Sequence, residues 1–242
     1  MDFGCYLAMT AAEFSACRQI NATPAWMACH YASYTLGLSN LPTALPEGAM
    51  VIVNDRIPPN GHDAQLIKTQ LQALCEEHGV GAVLLDLQRA ELPENKALVK
   101  AVSTELPCPV GVSSLYAEGV TCPVFLSCPP PHVALASHLA SWTGQEVWLE
   151  LAMEAEQAVV TEQGAHFSAW KTENLALPHG DEKLHCRYCT EVLADRAVFT
   201  LRRGQQELTA LAREARDSGV TRIIGLYQQL GKDFPWNTED RR

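Results

Sequence analysis

The sequence predicts an α/β fold of the (β/α)₈ TIM-barrel type, with missing helices and a β-hairpin insertion. The chain has 242 residues, of which 47% are hydrophobic, enough for the core of one large domain. Short apolar runs typical of strands alternate with helical patterns, and the connections are short. This order favours parallel pairing with right-handed crossovers. An open doubly wound sheet is the alternative, but no glycine-rich phosphate loop follows a strand.

The first half of the chain alternates regularly between strands and helices. A capping box at Thr10 and Glu13 predicts one helix start, and Asp63 and Gly79 are typical of the two ends of another. Residues 26–37 are compatible with strand or helix. The predicted elements are strand Phe3–Ala8, a helix from Thr10 to about Ile20, strand Ala49–Asn54, a helix between Asp63 and Gly79, strand Ala82–Leu87 and a helix over Pro93–Leu106.

The second half contains the departures from a regular barrel. No helix is predicted after Ser113 or after Leu151, and residues 157–170 alternate as one or two strands. The predicted elements are strands Pro109–Ser113 and Pro123–Ser127, helix His132–Trp142, strand Glu146–Leu151, hairpin arms Leu184–Thr190 and Arg196–Leu201, helix Gln205–Ser218 and strand Thr221–Tyr227. We therefore expect one domain over residues 1–242, with the hairpin at 183–203 and a C-terminal tail at 231–242.

The charge distribution limits the partners of the protein. Lys and Arg total 18 against 28 Asp and Glu, a net charge of −10, which disfavours a nucleic-acid partner. Residues 101–170 contain no Lys or Arg. This acidic segment forms either a solvated face or a cleft for a cation or a neutral polar ligand. Its glutamates are Glu105, Glu118, Glu146, Glu150, Glu154, Glu156 and Glu162.

The sequence predicts a soluble, cytoplasmic, bacterial protein with no membrane partner, and the oligomeric state stays open. The N-terminus lacks signal-peptide features, and no apolar run reaches the ~18 residues of a membrane span. The nine cysteines are irregularly spaced, as expected for buried thiols in a reducing compartment. Cys186 and Cys189 form a single C-x-x-C without a second ligand pair. We expect neither a metal nor a cofactor, although metal binding by this pair stays open.

Polar residues at the ends of predicted strands define the candidate site. The apolar run Ala82–Leu85 leads into Asp86, Gln88 and Arg89, as in a parallel strand that opens onto a cleft. Asp55 ends the preceding strand, so that Asp86 and Asp55 are the candidate acid and base. Alternatively, Asp55 pairs with Arg56 or Arg89 and braces loops. The candidate substrate-binding residues are Gln88, Arg89, Glu150, Tyr227 and Gln228.

The stretch around Asp86 resembles the D-G-x-D-x-D-x-E strand of chitinase-type glycoside hydrolases (family 18). Asp86 occupies the place of the last Asp, whereas Gln88 stands at the catalytic Glu, Leu84 at the middle Asp and Gly81 at the first Asp. The resemblance covers about Ile67 to Ser114 and does not reach the family's later tyrosine motif. It implies a TIM barrel in which a Glu protonates the leaving oxygen and the Asp supports attack by an N-acetyl group. Glutamine cannot donate that proton.

These observations lead to three functional hypotheses. The first is a glycoside-hydrolase-like barrel that binds a carbohydrate or other polar small molecule at its C-terminal strand ends, with catalysis lost or altered. The second is an active glycoside-hydrolase-type enzyme that uses Asp55, Asp86 or Glu150 as acid and base. The third is a non-catalytic protein that acts through an interaction surface.

Overall fold

The computed structural model of the chain describes residues 3–16, 22–31, 36–55, 63–89, 92–171 and 176–236. Its main sheet is a closed barrel of eight parallel strands, with one short antiparallel strand added at the end of the second. Closure occurs at the first strand, which pairs in parallel with the second and with the last. In chain order these strands are β1 (Gly4–Met9), β2 (Thr23–Tyr31), the added β3 (Leu38–Ser39), β4 (Met50–Asn54), β5 (Ala82–Asp86), β6 (Val110–Ser113), β7 (Val124–Leu126), β8 (Val147–Leu151) and, after an insertion, β14 (Arg222–Leu226).

The predicted α/β barrel with missing helices is therefore confirmed. After β6 the described chain forms only a 3₁₀ turn at Ser114–Tyr116, and β8 runs directly into the insertion. Residues 26–31, left open between strand and helix, belong to β2. The helices are α1 (Ala11–Ala16), α2 (Ala64–His78), α3 (Pro93–Val102), α4 (Leu135–Leu139) with a 3₁₀ turn at Ala140–Trp142, α5 (Gln205–Asp217) and α6 (Tyr227–Leu230).

One predicted helix lies partly outside the described residues, and another is shorter than predicted. The helix predicted to reach Ile20 is described only to Ala16, because residues 17–21 lie outside the described chain. The helix predicted over His132–Trp142 is shorter, since α4 begins at Leu135 and continues as a 3₁₀ turn. Among the described residues, no helix is both long and apolar enough to cross a membrane.

Local sequence signals define α2. The carboxylate of Asp63 accepts hydrogen bonds from the backbone N–H groups of Gln65 (2.9 Å) and Leu66 (3.2 Å), which otherwise lack partners in the first turn. At the other end, Gly79 adopts a left-handed φ of 61° and its N–H bonds to the Cys75 carbonyl at 3.0 Å. The helix therefore ends at His78, shortly before β5 begins at Ala82, and its buried residues pack against the barrel wall.

The barrel interior is filled by side chains from alternate positions of the strands. This inner cluster comprises Tyr6, Ala8, Ala25, Met50, Ile52, Ala82, Leu84, Phe125, Trp148 and Ile224. Trp148 is fully buried, and its ring occupies the space beside Gly111, where an added Cβ would lie 2.2 Å from the indole. The guanidinium of Arg222 lies 4.4 Å from the centre of the Trp148 ring. These groups close the barrel toward its N-terminal rim, as expected for a packed core.

The segment between β8 and α5 forms a second sheet beside the barrel mouth. Its five antiparallel strands lie in the order β10, β9, β13, β12, β11. They are β9 (Ala155–Thr161), β10 (Gly164–Ala169), β11 (His179–Asp181), β12 (Cys186–Val192) and β13 (Ala197–Arg202). The predicted hairpin corresponds to β12 and β13, which pair from Arg187↔Arg202 to Val192↔Ala197. The insertion is larger than the predicted hairpin because β9, β10 and β11 extend its sheet.

Arg203 fastens this inserted sheet to the barrel. Its side chain is fully buried and donates to backbone carbonyls on both sides of the junction. On the barrel side the acceptors are Pro129, Pro130 (3.3 Å) and Val133 (3.2 Å) in the loop after β7. On the insertion side they are Leu184 (2.8 Å) and His185 (3.2 Å). A buried cation is tolerated here because its donors are satisfied.

The contact between Gly111 and Trp148 generates a stability prediction. Gly111→Ala places a methyl group against a fully buried indole, so we expect overpacking to cost about 3 kcal/mol and to lower the Tm by roughly 6 to 12 °C. The control is Gly180→Ala, because a Cβ at that glycine meets nothing within 4 Å. Thermal unfolding monitored by circular dichroism measures both variants. Equal Tm values for the two would contradict the packing assigned to Trp148.

Candidate functional site

A small cavity opens at the carboxyl ends of the barrel strands. Its volume is about 50 Å³. Six apolar side chains and three polar side chains line it. The apolar side chains are Ala8, Ile52, Leu84, Phe125, Ile224 and Leu226, and the polar side chains at its rim are Asn54, Asp86 and Glu150. Residues 56–62 and 90–91, which follow β4 and β5, lie outside the described chain, so the cavity is defined here at strand level.

Asp86 is positioned by the end of β5. It is the last residue of that strand, half-buried, and its register partner on β4 is Asn54. The side-chain Nε2 of Gln88 donates a hydrogen bond to the Asp86 carboxylate. Leu84, two residues earlier, lines the same cavity, as strand alternation requires. The local sequence Leu-x-Asp-x-Gln thus leads from the apolar floor to a polar rim.

Asp55 lies outside the cavity, although it follows β4 directly. Its carboxylate is 1% exposed and accepts hydrogen bonds from the backbone N–H groups of Gln88 and Arg89, each at 2.9 Å. The Asn95 amide donates to it at 2.8 Å, and the Arg89 Nε donates to the Asp55 carbonyl at 3.0 Å. Asp55 thus holds the loop that carries Gln88. This arrangement matches the loop-bracing interpretation through Arg89, whereas Arg56 lies outside the described residues.

Acidic side chains concentrate on the rim around β8. Glu150 lines the cavity, and Glu154 follows in the connection to β9. Burial raises the pKa of Glu154 from 4.5 to about 7, and repulsion from Glu150 acts in the same direction, while Arg203 lowers it. Glu156 is 6% exposed and contacts His132 at 2.8 Å. The interpretation of this segment as a solvated face is therefore wrong for Glu156.

The residues predicted at the end of the last strand lie beside the cavity and are not among its lining residues. Tyr227 begins α6 directly after β14 and packs partly buried against the outer core, while Gln228 is exposed. Gln229 accepts a hydrogen bond from the backbone N–H of Met153 at 2.7 Å and so ties α6 to the loop after β8. Of the predicted site residues, Asp86 and Glu150 line the cavity and Gln88 contacts Asp86. The others, Asp55, Arg89, Tyr227 and Gln228, are not among the residues that line it.

The C-x-x-C pair does not assemble a metal site within the described chain. Cys186 is buried and Cys189 is partly buried on β12. Because the two are three residues apart in a strand, they point to opposite faces. No cluster of three or more His, Cys, Asp or Glu with metal-binding geometry occurs among the residues that the structure describes.

Three larger cavities lie elsewhere in the part of the chain that the structure describes. One of about 620 Å³ lies between α3 and the segment after β6, lined partly by Lys96, Lys100 and Tyr116. Another of about 410 Å³ lies between the inserted sheet and α5, next to His185 and Glu207. The third, of about 190 Å³, lies beside the amino end of β8 and the segment after α5. None of them is at the carboxyl ends of the barrel strands, where barrel enzymes place their chemistry. We therefore assign the candidate site to the smaller cavity at the mouth.

Sequence reasoning missed the rim residue Asn54 and did not single out Glu154, which lies in the connection from β8 to β9. Strand alternation contained a signal for Asn54, because it lies two residues after Ile52 and therefore on the same inward face. No local pattern distinguishes Glu154 from the other glutamates of the acidic segment. Its pKa is raised first by burial and then by repulsion from Glu150, and neither cause can be read from the local sequence.

The closed parallel barrel with a polar rim and an inserted sheet defines a TIM-barrel protein. Its fold is similar to those of a bacterial spore cortex-lytic enzyme and of bacterial proteins described as an N-acetylglucosaminidase and a chitinase. The spore cortex-lytic enzyme SleL of Bacillus cereus matches with a TM-score of 0.57 and 11% identity, over 98% of this chain and 72% of SleL. A glycoside hydrolase family 18 N-acetylglucosaminidase from Paenibacillus barengoltzii matches with a TM-score of 0.58 and 8% identity, over 93% and 94%. A chitinase from Chromobacterium violaceum matches with a TM-score of 0.52 and 9% identity, over 97% and 96%.

No protein-family model and no curated protein sequence matches the chain. The similarity to chitinase-type glycoside hydrolases therefore holds at the level of the fold. Since one fold hosts many functions, the activity has to be argued from the site.

The environment of Glu154 generates a pH prediction. Because its folded-state pKa of about 7 exceeds the ordinary 4.5, the folded protein is penalised progressively as the pH rises through this window. The stability that protonated Glu154 gives the folded state is therefore fully present below pH 4.5 and is lost above pH 7, where the buried carboxylate is charged. Glu154→Gln removes the penalty, so we expect the variant to be more stable at pH 8 by about 1 to 2 kcal/mol after allowing for solvent screening.

Thermal unfolding at two pH values measures this effect. The Tm of Glu154→Gln should exceed that of the unmodified protein by roughly 2 to 8 °C at pH 8 and should match it near pH 4.5. Glu162→Gln is the control, since Glu162 is exposed in the turn between β9 and β10. A Tm difference that is the same at both pH values would show that Glu154 titrates normally.

Proposed function

We propose that this protein is a glycoside-hydrolase-like TIM barrel that binds a carbohydrate, or a similarly polar small molecule, at the C-terminal ends of its strands. The observation that carries the proposal is the half-buried Asp86 carboxylate, which faces a strand-end cavity together with Glu150 and Asn54. Convergent polar groups above an apolar floor are typical of small-molecule sites. The fold similarity to carbohydrate-active proteins supports the same class of ligand.

The chemistry of the rim favours a neutral ligand rich in hydroxyl or amide groups. The carboxylates of Asp86 and Glu150 are hydrogen-bond acceptors, which suit the O–H and N–H donors of a sugar. The same carboxylates repel phosphate, and the net charge of −10 acts in the same direction. Sugar phosphates should therefore bind more weakly than the corresponding neutral sugars.

The dimensions of the cavity define how such a ligand would bind. At strand level, a cavity volume of about 50 Å³ has room for at least one water-sized group. We infer that one polar substituent enters the cavity while the ring lies above it, at the level of Gln88. Asp55 acts as a positioning residue in this arrangement, because it holds the backbone of Gln88 and Arg89.

The structural relatives suggest the first ligands to examine. Two of them are described as an N-acetylglucosaminidase and a chitinase. Oligosaccharides of N-acetylglucosamine are therefore the first probes, followed by other neutral oligosaccharides. For catalysis, Gln88 is decisive: its amide carries no dissociable proton, so it cannot act as the general acid at its position beside Asp86.

The binding proposal is tested by ligand-dependent thermal stability. At a ligand concentration of about 100 Kd, binding stabilises a protein by ~2.7 kcal/mol, which raises the Tm of a chain of this size by roughly 5 to 10 °C. Asp86→Ala should lose this rise for chito-oligosaccharides. Asp195→Ala, at a largely exposed turn position, should retain it. The absence of any concentration-dependent rise across the neutral oligosaccharides would contradict carbohydrate binding.

A second candidate function is hydrolysis of a glycosidic bond by Asp86 and Glu150. The observation that favours it is that both carboxylates line one cavity, as an acid and base pair must. Asp55 is disfavoured as a direct participant, because its buried carboxylate already accepts three hydrogen bonds away from the cavity.

Turnover of an aryl glycoside of N-acetylglucosamine distinguishes the two functions. The binding proposal predicts no turnover by the unmodified protein, because Gln88 cannot protonate the leaving oxygen. The hydrolase alternative predicts turnover that falls by at least about 10²-fold in both Asp86→Asn and Glu150→Gln. Gln88→Glu restores a carboxyl group at the acid position, so turnover found only in this variant would indicate a binding site derived from a hydrolase site.

A further inference from the structure

Two thiols lie in contact at the N-terminal rim of the barrel, on the side opposite the candidate site. The Sγ atoms of Cys75 and Cys108 are 3.5 Å apart. Cys75 lies in the last turn of α2, and Cys108 lies in the loop that leads into β6. The two residues are 33 positions apart in the sequence, so a bond between them would join separate elements of the barrel wall.

The contact belongs to a row of interactions along one stripe of α2. Lys68, one of the few buried charged residues, forms an ion pair and hydrogen bond with Glu105. One turn later, the Gln72 Nε2 donates to the Glu105 carbonyl at 3.4 Å. Cys75 follows on the same stripe and meets Cys108. The loop before β6 is therefore held against α2 at successive positions, which brings the two sulfur atoms together before any bond forms.

The two thiols differ in reactivity. Cys75 is 7% exposed, whereas Cys108 is only partly buried and more accessible. The more accessible thiol meets a dissolved oxidant first, so Cys108 is the group that reacts first and Cys75 is the resolving thiol.

We propose that Cys75 and Cys108 are a redox modification site that forms an intramolecular disulfide when the protein meets hydrogen peroxide. The Cys108 thiolate attacks one peroxide oxygen; an S–O bond forms, the O–O bond breaks, and hydroxide leaves and takes up a proton as water. The sulfur of Cys75 then attacks the sulfenic acid of Cys108. The S–S bond forms, the S–O bond breaks, and a second water leaves with the thiol proton. Two thiols are oxidised by two electrons, and one peroxide is reduced to two waters.

The position of the pair predicts its effect on the protein. The disulfide closes a loop of about 33 residues, which restricts the unfolded chain and stabilises the fold. The oxidised protein should therefore unfold at a Tm about 5 to 10 °C higher than the reduced protein. The candidate site lies at the other rim, so ligand binding there should be the same in both states. This inference does not depend on the proposed function.

The test uses the full chain, reduced and then treated with a small excess of hydrogen peroxide. Free thiols are alkylated, and the digested protein is mapped by mass spectrometry without reduction. We expect a cross-linked pair of peptides containing Cys75 and Cys108, its loss after treatment with dithiothreitol, and the rise in Tm. Cys75→Ser and Cys108→Ser should each abolish the cross-link. Cys122→Ser is the matched control, since the partly buried Cys122 thiol contacts the Ser103 carbonyl at 3.5 Å and should not contribute.

Three results would overturn the inference. The first is that Cys75 and Cys108 remain alkylatable while other cysteines are oxidised. The second is a cross-link between two protein molecules. The third is the conversion of Cys108 to a sulfinic acid without a disulfide. If a serine variant fails to fold, the peptide map of the unmodified chain still decides, because it identifies the linked residues directly.

Discussion

Closure of the parallel barrel is the constraint on which the rest of the structure depends. Because β1 pairs with both β2 and β14, no edge of the main sheet remains open around the ring, and all eight strands end at the same rim. Alternate side chains must then fill a closed interior. Trp148 does so toward the N-terminal rim, where it requires the missing Cβ of Gly111. Smaller side chains such as Ala8 leave the space at the other rim that becomes the cavity.

Closure also places stabilising contacts and the polar candidate site at opposite rims of the barrel. Toward the N-terminal rim the contacts are the stacking of Arg222 on Trp148 and the contact of Cys75 with Cys108. At the C-terminal rim, burial and, to a smaller extent, repulsion from Glu150 raise the pKa of Glu154, an arrangement that costs stability. The inserted sheet stands at this rim and is held by the buried guanidinium of Arg203. A cost in stability at one rim and compensating contacts elsewhere are expected for a binding site.

How much could be predicted from the sequence depends on the range of the interactions. The barrel followed from local signals, such as the caps Asp63 and Gly79 around α2. The different positions of Asp86 and Asp55 also follow from alternation: Asn54 pairs with Asp86, so the next residue, Asp55, points outward. The inserted sheet could be predicted only in part. Alternation over residues 157–170 indicated one or two strands, which are β9 and β10, but no local signal joins these strands to the hairpin or marks β11. The role of Arg203 could not be predicted either, because the carbonyl groups that accept its hydrogen bonds lie about 20 and about 70 positions away in the sequence.

The same geometry limits what the proposed site can do. A barrel rim that presents Asp86 and Glu150 around an apolar floor attracts hydrogen-bond donors and repels anions, whichever ligand occupies it. The amide of Gln88 hydrogen bonds to the Asp86 carboxylate and thereby occupies part of its acceptor capacity. At this position a glutamate could alternate between donor and acceptor as it lost its proton, whereas glutamine keeps one fixed pattern of donors. A fixed pattern of hydrogen-bond donors favours selection among ligands. Bond cleavage, in contrast, requires a side chain that releases and takes up a proton. The side chain at position 88 therefore excludes a proton donor at that position, so that the catalytic alternative rests on Asp86 and Glu150 alone.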